Sequence, residues 1–452
     1  MKLHLPRLFS VLAIIALLIG CKETSNSETN TPRLGTWGVE VQYVDGDSRP
    51  GEDFNTYVNK GWMDQAVMPA GFSRFGAFTE LALEAEENVG AIIEESQMAK
   101  ASSGEPEQQI GDLYQAFMDT EKLNALGLTP IQAELGELLE LDTHESVAQW
   151  MGRNGTNSLY ALYIGQDAGN PERYVAHVRQ AGLGLPNKDY YSRTDDPFPA
   201  HRDAYVDYIE ATFDRAGIDS ARERAEDIMA LETALAEIHW SRVQQRDREA
   251  NYKLKSKDEL IAFAPEFPWD AFLEERELSG IEEVVVGTDE AVAKSAQLFA
   301  QTPVSTWASY HAFHWINNHA PVMSDEYSNA HFEFFSQRLN GVEEQRERSQ
   351  RAISFVSGRL GELIGQVYVE RHFPPAYRAQ MEELVGYLRR AFAERLETLD
   401  WMDDETRIEA QAKLAAFWPK IGYPDQWRDY SGVTIVADDL IGNLNALAEW
   451  SW

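Results

Sequence analysis

Ten histidines are the residues of this 452-residue chain best suited to hydrolytic chemistry. A zinc hydrolase helix needs two histidines four residues apart, so that both face one side, and a glutamate between them to activate water. The ten are His4, His144, His177, His201, His239, His311, His314, His319, His331 and His372, and no two stand four apart. The chain therefore contains no HExxH sequence. His144-Glu145 is its one His-Glu dipeptide, and Ala148 occupies the place of the second histidine. His311, His314 and His319 form a cluster in HAFHWINNHA, and the first two share a helical face. No carboxylate or cysteine adjoins them, and Phe313 and Trp315 favour a packing role over ligation. Carboxylate pairs such as Glu86-Glu87 and Asp403-Asp404 are too common in so acidic a chain to identify a glycosidase, which needs two such groups facing across a cleft. GxSxG, GxGxxG and GxxxxGK[ST] are all absent, so the usual cues for an α/β-hydrolase, a dinucleotide site or a P-loop are missing.

The elements that would position any site are mostly helical. Phe78, Leu81, Ala85, Val89 and Ile92 predict one face of a helix running to about Met98, and Ile110, Leu113, Tyr114, Phe117 and Met118 predict a second. Helical periodicity recurs at 204–216, 228–238, 298–319, 332–339, 344–369 and 376–399. Short strands are expected at 159–164, 174–178 and 283–286, where apolar or β-branched residues alternate or run together between glycines and asparagines. No internal repeat suggests a solenoid. From Trp401 to Pro424, acidic Asp403, Asp404 and Glu405 mark a helix start. That helix is expected to dock by Trp401, Ile408 and Phe417 and to stop before Pro419.

With 44% apolar residues the chain can bury a large core, and its net charge of −34 argues against a nucleic-acid partner, which demands a basic face. At the N-terminus Lys2 and Arg7 precede an apolar run from Leu8 to Ile19, the length of a signal-peptide core rather than a membrane span. Gly20-Cys21 follows, and Cys21 is the single cysteine of the chain. This resembles a bacterial lipoprotein signal over residues 1–20 with Cys21 as the lipidated thiol; the alternative is an ordinary secretory signal with an incidental cysteine. By that resemblance, Lys22 points to the outer membrane facing the periplasm. Residues 21–35 read as a flexible tether.

Six blocks, in order, resemble the neprilysin and endothelin-converting-enzyme family of zinc metallopeptidases. They are DFNTYVNKGWMDQAVMPAGFSRFGAF at 53–78, GLGLPNKDYY at 182–191, the Glu232–Tyr252 stretch, TPVSTWASYHAF at 302–313, GELIGQVYVERHF at 361–373 and WMDDETRIEAQAKLAAFWPKIGYP at 401–424. The resemblance implies a mainly α fold: a large helical lobe of a two-lobed peptidase with a few short strands, the thermolysin-like catalytic lobe being largely missing. It implies an N-terminal peptidase domain over 36–424 and, over 425–452, the start of a connection to the catalytic lobe. The family's zinc ligands and catalytic residues lie downstream of the Gly-Tyr-Pro turn, so none carries over, and zinc is expected only in the complete enzyme. One substrate-binding residue does carry over. Arg74, in Ser73-Arg74-Phe75-Gly76, matches the family arginine that meets the substrate's C-terminal carboxylate. A guanidinium forks onto a carboxylate as a lysine ammonium does not; the alternative is a structural arginine paired with one of the many acids. Arg246-Asp247 and Gly184-Leu185-Pro186 read as architecture. The implied function is the N-terminal part of a zinc metalloendopeptidase acting on oligopeptides at the bacterial cell envelope, this chain being inactive alone. A non-catalytic peptide-binding lipoprotein is the alternative.

Overall fold

The structure, a computed structural model, describes residues 40–451 and distinguishes two compact units, Met1–Met68 and Pro69–Trp452. In the first unit the Asp53 carboxylate accepts from the Thr56 N–H at 2.9 Å and so caps the Phe54–Met63 helix. Gly61 of that helix lies against the Val41–Tyr43 turn, where a Cβ would come within 2.8 Å of the Tyr43 backbone. Glycine is needed there for close approach. The signal, lipidation and tether expectations, including Cys21, fall outside the described residues.

The second unit is mainly α-helical, with one small sheet. Apolar periodicity places most of its helices well: Ala77–Ala99, Pro106–Met118, Phe198–Ala216, Ala221–Ile238 and Arg348–His372 all form. The N-terminal part of the expected face at 78–92 is a departure, because Phe78 and Leu81 are exposed while Ile92 and Ile93 are buried. The single helix expected over 298–319 is two, Asp289–Gln301 and Val304–His319. Pro303 separates them, since it lacks an N–H and pushes Thr302 into extended backbone, with ψ at 133°. Residues Phe332–Arg338 form a π-helix rather than an α-helix.

Four strands make one sheet: β1 (Tyr160–Asp167), β2 (Asn170–Gln180), β3 (Leu254–Ser256) and β4 (Glu283–Val286), in the order β1-β2-β4-β3. The β1–β2 and β3–β4 pairs are antiparallel and β2–β4 is parallel. The strands expected at 159–164, 174–178 and 283–286 are present. β3 was not expected, because three residues with Lys255 and Ser256 carry no apolar signal and its pairing is imposed by β4. At the β1–β2 turn Asp167 accepts from the Gly169 N–H at 2.8 Å, the local bond that turns the chain.

One contiguous core joins the helices to the sheet. Tyr160 of β1 stacks on Trp269 at 4.7 Å and meets Phe267 edge-on at 4.8 Å, and Phe267 in turn meets Phe299 at 4.9 Å. Trp307 is fully buried and donates its indole N–H to the Phe299 carbonyl at 3.1 Å, so its one polar atom costs nothing to bury. Each such ring contributes roughly 1.5–3 kcal/mol by leaving water.

The C-terminal helices differ from expectation. Asp403 does cap, accepting from the Thr406 N–H at 2.8 Å, and the helix Asp404–Ala415 follows. It ends where the Arg389 guanidinium takes the Leu414 carbonyl at 3.0 Å. Yet Trp401, Ile408 and Phe417 do not dock: they are 76%, 65% and 58% exposed. The neighbouring Pro375–Glu397 helix buries only Leu396. Residues 430–451 instead fold back onto the Pro106–Met118 helix, whose Gln109 donates to the carbonyls of Tyr430 and Val433 at 3.0 and 2.7 Å. No described helix is long and apolar enough to cross a membrane.

Candidate functional site

Arg74 sits two residues before Gly76, the N-cap of the Ala77–Ala99 helix. Its position is set by the segment before it. Phe72 closes a turn by donating its N–H to the Pro69 carbonyl at 3.0 Å, and the Ala70 carbonyl accepts from the Glu344 N–H at 3.2 Å. Gly71 lies so close to Arg346 that a Cβ would meet its Cγ at 2.5 Å. The Arg346 guanidinium stands 5.1 Å over the Phe72 ring and pairs with Glu86 at 2.5 Å. A half-buried ion pair and a cation–π contact thus hold the backbone on the N-terminal side of Arg74. Arg74 itself is exposed, and among the described residues no carboxylate pairs with it. Its fork of donors is available to a ligand.

A second constellation unites two of the sequence blocks, 182–191 and Glu232–Tyr252, with Tyr205 and His314 around Glu232, which is fully buried. The Tyr191 hydroxyl donates to Oε2 at 2.5 Å and the Gly184 N–H at 3.1 Å, while the Tyr205 hydroxyl donates to Oε1 at 3.2 Å. His314 Nε2 lies 2.8 Å from the same Oε1. Since Glu232 accepts, that nitrogen carries the proton. Burial, and after it the Glu232 charge, pushes the Tyr191 and Tyr205 hydroxyls well above the usual tyrosine range, so both stay protonated donors. Tyr191 also accepts from the Leu185 N–H at 2.8 Å, closing the Gly184–Tyr191 loop on the hub. Gly184 has no room for a side chain, because a Cβ would fall 1.9 Å from the Tyr205 hydroxyl.

The histidine cluster is therefore a packing cluster. His314 serves the hub, His319 Nδ1 lies 2.8 Å from the Trp315 carbonyl, and His311 packs edge-on against Tyr310 at 5.0 Å. Both ring nitrogens of His311 are buried without a partner, and burial, then the neighbouring His314, pushes its pKa down to about 3. Among the described residues no three His, Cys, Asp or Glu side chains gather as a metal could use them. Glu232, the acid that meets His314, is already surrounded by donors. The donor set does not fit zinc.

The Arg246-Asp247 block is architectural in its neighbours. Asn251 donates to the Asp247 carbonyl at 2.7 Å and accepts from the Thr288 N–H at 3.2 Å, and Tyr252 donates to Asp167 at 2.7 Å. That bond, with the Arg173 guanidinium and the Gly169 N–H, holds the Asp167 carboxyl down at about 2. Sequence reasoning did not single out Glu232, Tyr191, Tyr205 or Arg346. Arg346 carried no charge signal, since Arg346, Arg348 and Arg351 alternate with Glu343, Glu344 and Glu347. The hub had none, because its members are scattered over 131 positions, from Gly184 to His314.

Comparison with known proteins agrees with this picture. The model of peptidase family M13 matches residues 50–424. Endothelin-converting enzyme 1 of Cavia porcellus is 26% identical over 431 residues, covering 89% of this chain and 56% of the relative; the human enzyme is also 26% identical. A crystal structure of the Mycobacterium tuberculosis zinc metalloprotease Zmp1 with inhibitor superposes with a TM-score of 0.86 at 31% identity, over 92% of this chain and 64% of that one. PepO from Lactobacillus rhamnosis, at 20% identity and a TM-score of 0.77 over 89% of this chain and 65% of that one, shares the fold. The chain spans about half the length of the endothelin-converting enzymes it matches. A match over most of its residues, on a helical body of the same architecture, makes this chain a member of peptidase family M13.

Proposed function

We propose that this chain forms the helical, peptide-binding lobe of a zinc metalloendopeptidase that acts on oligopeptides at the bacterial cell envelope, and that the chain alone does not cleave. The observation that carries the reading is Arg74: a guanidinium held out on a pinned segment with no carboxylate of its own among the described residues. It recognises the C-terminal carboxylate of a bound peptide. The absence of HExxH from the sequence supports inactivity, because that motif would supply both the zinc site and the glutamate that activates water. Zinc belongs to the complete enzyme and is not held by these residues. The exposed apolar faces of the Pro375–Glu397 and Asp404–Ala415 helices support a lobe that is covered by another, since exposed patches of this kind mark interaction surfaces. Cys21 carries the lipid that anchors the protein to the membrane.

The experiment is peptide binding by the purified chain, with and without Arg74→Ala. Peptides with a free C-terminus are expected to lose roughly tenfold or more in affinity on substitution, and amidated peptides little. Equal weakening of both removes Arg74 from the site. In parallel, a fluorogenic peptide is expected to stay intact, and chelator-sensitive cleavage would refute the inactivity. The same Arg74 geometry serves the second reading, a peptide-binding lipoprotein with no catalytic function in any form.

A further inference from the structure

Behind the segment that carries Arg74 lies a cavity of about 520 Å³ walled in part by Gly71, Arg346, Arg351 and Arg359. Its charge is unusual for this protein. The chain as a whole stands at −34, yet no carboxylate is among the residues lining this space. Arg346 is met by Glu86, which lies outside the lining. The hydrogen bonds of Arg351 and Arg359 among the described residues go to neutral oxygens: Arg351 reaches the Ser328 hydroxyl at 3.3 Å and Arg359 the Phe355 carbonyl at 3.2 Å. The Arg359 guanidinium lies 3.8 Å over the Phe355 ring, which satisfies its face but not its edge N–H groups. The Nε atoms of Arg346 and Arg351 are buried with no acceptor. A buried, unmet donor on a charged group is costly to leave so.

Two further features favour an anion. Ser328, Ser336 and Ser354 also line the space and can donate hydroxyls. Burial pulls the Arg359 pKa down with no nearby charge opposing it, and pulls the Arg351 pKa down despite the charges of Asp325 and Glu347; both remain charged.

We propose that this cavity is a carboxylate-binding site, in which Arg351 and Arg359 fork onto the acidic side chain of a bound peptide. The ligand class rests on the peptide-binding reading above, but the residues are different, so the two can fail separately. Planar guanidiniums give a carboxylate two parallel hydrogen bonds, and the apolar walls from Phe117, Val322 and Phe355 weaken the competition from water.

The test uses a short peptide containing two glutamates, acetylated and C-terminally amidated so that it has no terminal carboxylate, and its glutamine counterpart. Affinity for the purified full chain is read by fluorescence anisotropy. The glutamate peptide is expected to bind at least about tenfold more tightly than the glutamine one. Arg351→Gln and Arg359→Gln are each expected to remove most of that difference with unchanged circular dichroism, and Arg74→Ala to leave it intact. Equal binding of the two peptides, or a preference untouched in both well-folded arginine variants, overturns the site while leaving Arg74 to be judged on free-acid peptides. Failure of every peptide, free-acid ones included, overturns this site and the peptide-binding reading together.

Discussion

Replacing Glu232 should unfasten three segments at once. In the wild type its two oxygens face the Tyr191 and Tyr205 hydroxyls, the Gly184 N–H and His314 Nε2, all within 3.2 Å, and the three side chains are buried. Glu232→Ala leaves up to four donors without an acceptor and opens a void the size of the lost side chain. Each orphaned buried donor costs about 1–3 kcal/mol, but local relaxation shares the cost, and breaking comparable buried charged networks gives about 3–5 kcal/mol. A loss of about 4 kcal/mol is therefore expected, a large part of the roughly 5–15 kcal/mol that holds a typical domain together. Glu232→Gln keeps the shape but turns one acceptor into a donor that faces other donors, for about 2 kcal/mol. Urea unfolding followed by tryptophan fluorescence reads both, with exposed Glu237→Ala on the same helix as a control expected within about 0.5 kcal/mol. Amide exchange should also speed up across Gly184–Tyr191, the loop that Glu232 closes. If both Glu232 variants unfold at the wild-type urea concentration, the hub does not fasten the loop and the reasoning fails.

Other outcomes follow from the same contacts. Burial pushes His239 down to about 4 and His311 to about 3 from an unfolded value near 6.5. The unfolded chain then binds more protons below about pH 6.5, so the stability both contribute is complete above that pH and falls on acidification towards pH 4 and below, by roughly 3 kcal/mol for His239. A melting temperature that is flat between pH 7 and 5 contradicts this. His311→Phe removes two unpartnered buried nitrogens at similar volume, so it should leave the melting temperature unchanged or raise it and lessen the acid sensitivity; marked destabilisation would show that His311 has a partner. Gly184→Ala places a methyl against the Tyr205 hydroxyl, which is stacked on Phe334 at 5.4 Å, and should cost about 2–3 kcal/mol by urea unfolding; no loss would mean that the loop yields freely. Cys21→Ser should move the protein from the membrane to the soluble fraction of a bacterial host, and unchanged membrane retention defeats the lipoprotein reading.

The sequence on its own determined the helical class and most helix positions, because an apolar stripe at a spacing of 3.6 residues can be buried only by a helix laid against a core. It determined helix ends where a single side chain decides them, as at Asp403, and it supplied the resemblance that located Arg74. It did not reveal that Pro375–Glu397 and Asp404–Ala415 leave their apolar residues exposed, since periodicity says that a face is apolar and not what covers it. Nor could spacing find the Glu232 hub or the arginine-lined cavity. Their members come together only when the Ala221–Ile238, Val304–His319 and Arg348–His372 helices pack, and a buried charge acquires its meaning from neighbours that are remote in the chain. The physical reason is range: capping and periodicity act within a turn or two of the backbone, whereas desolvation and hydrogen bonding among buried groups depend on tertiary proximity alone.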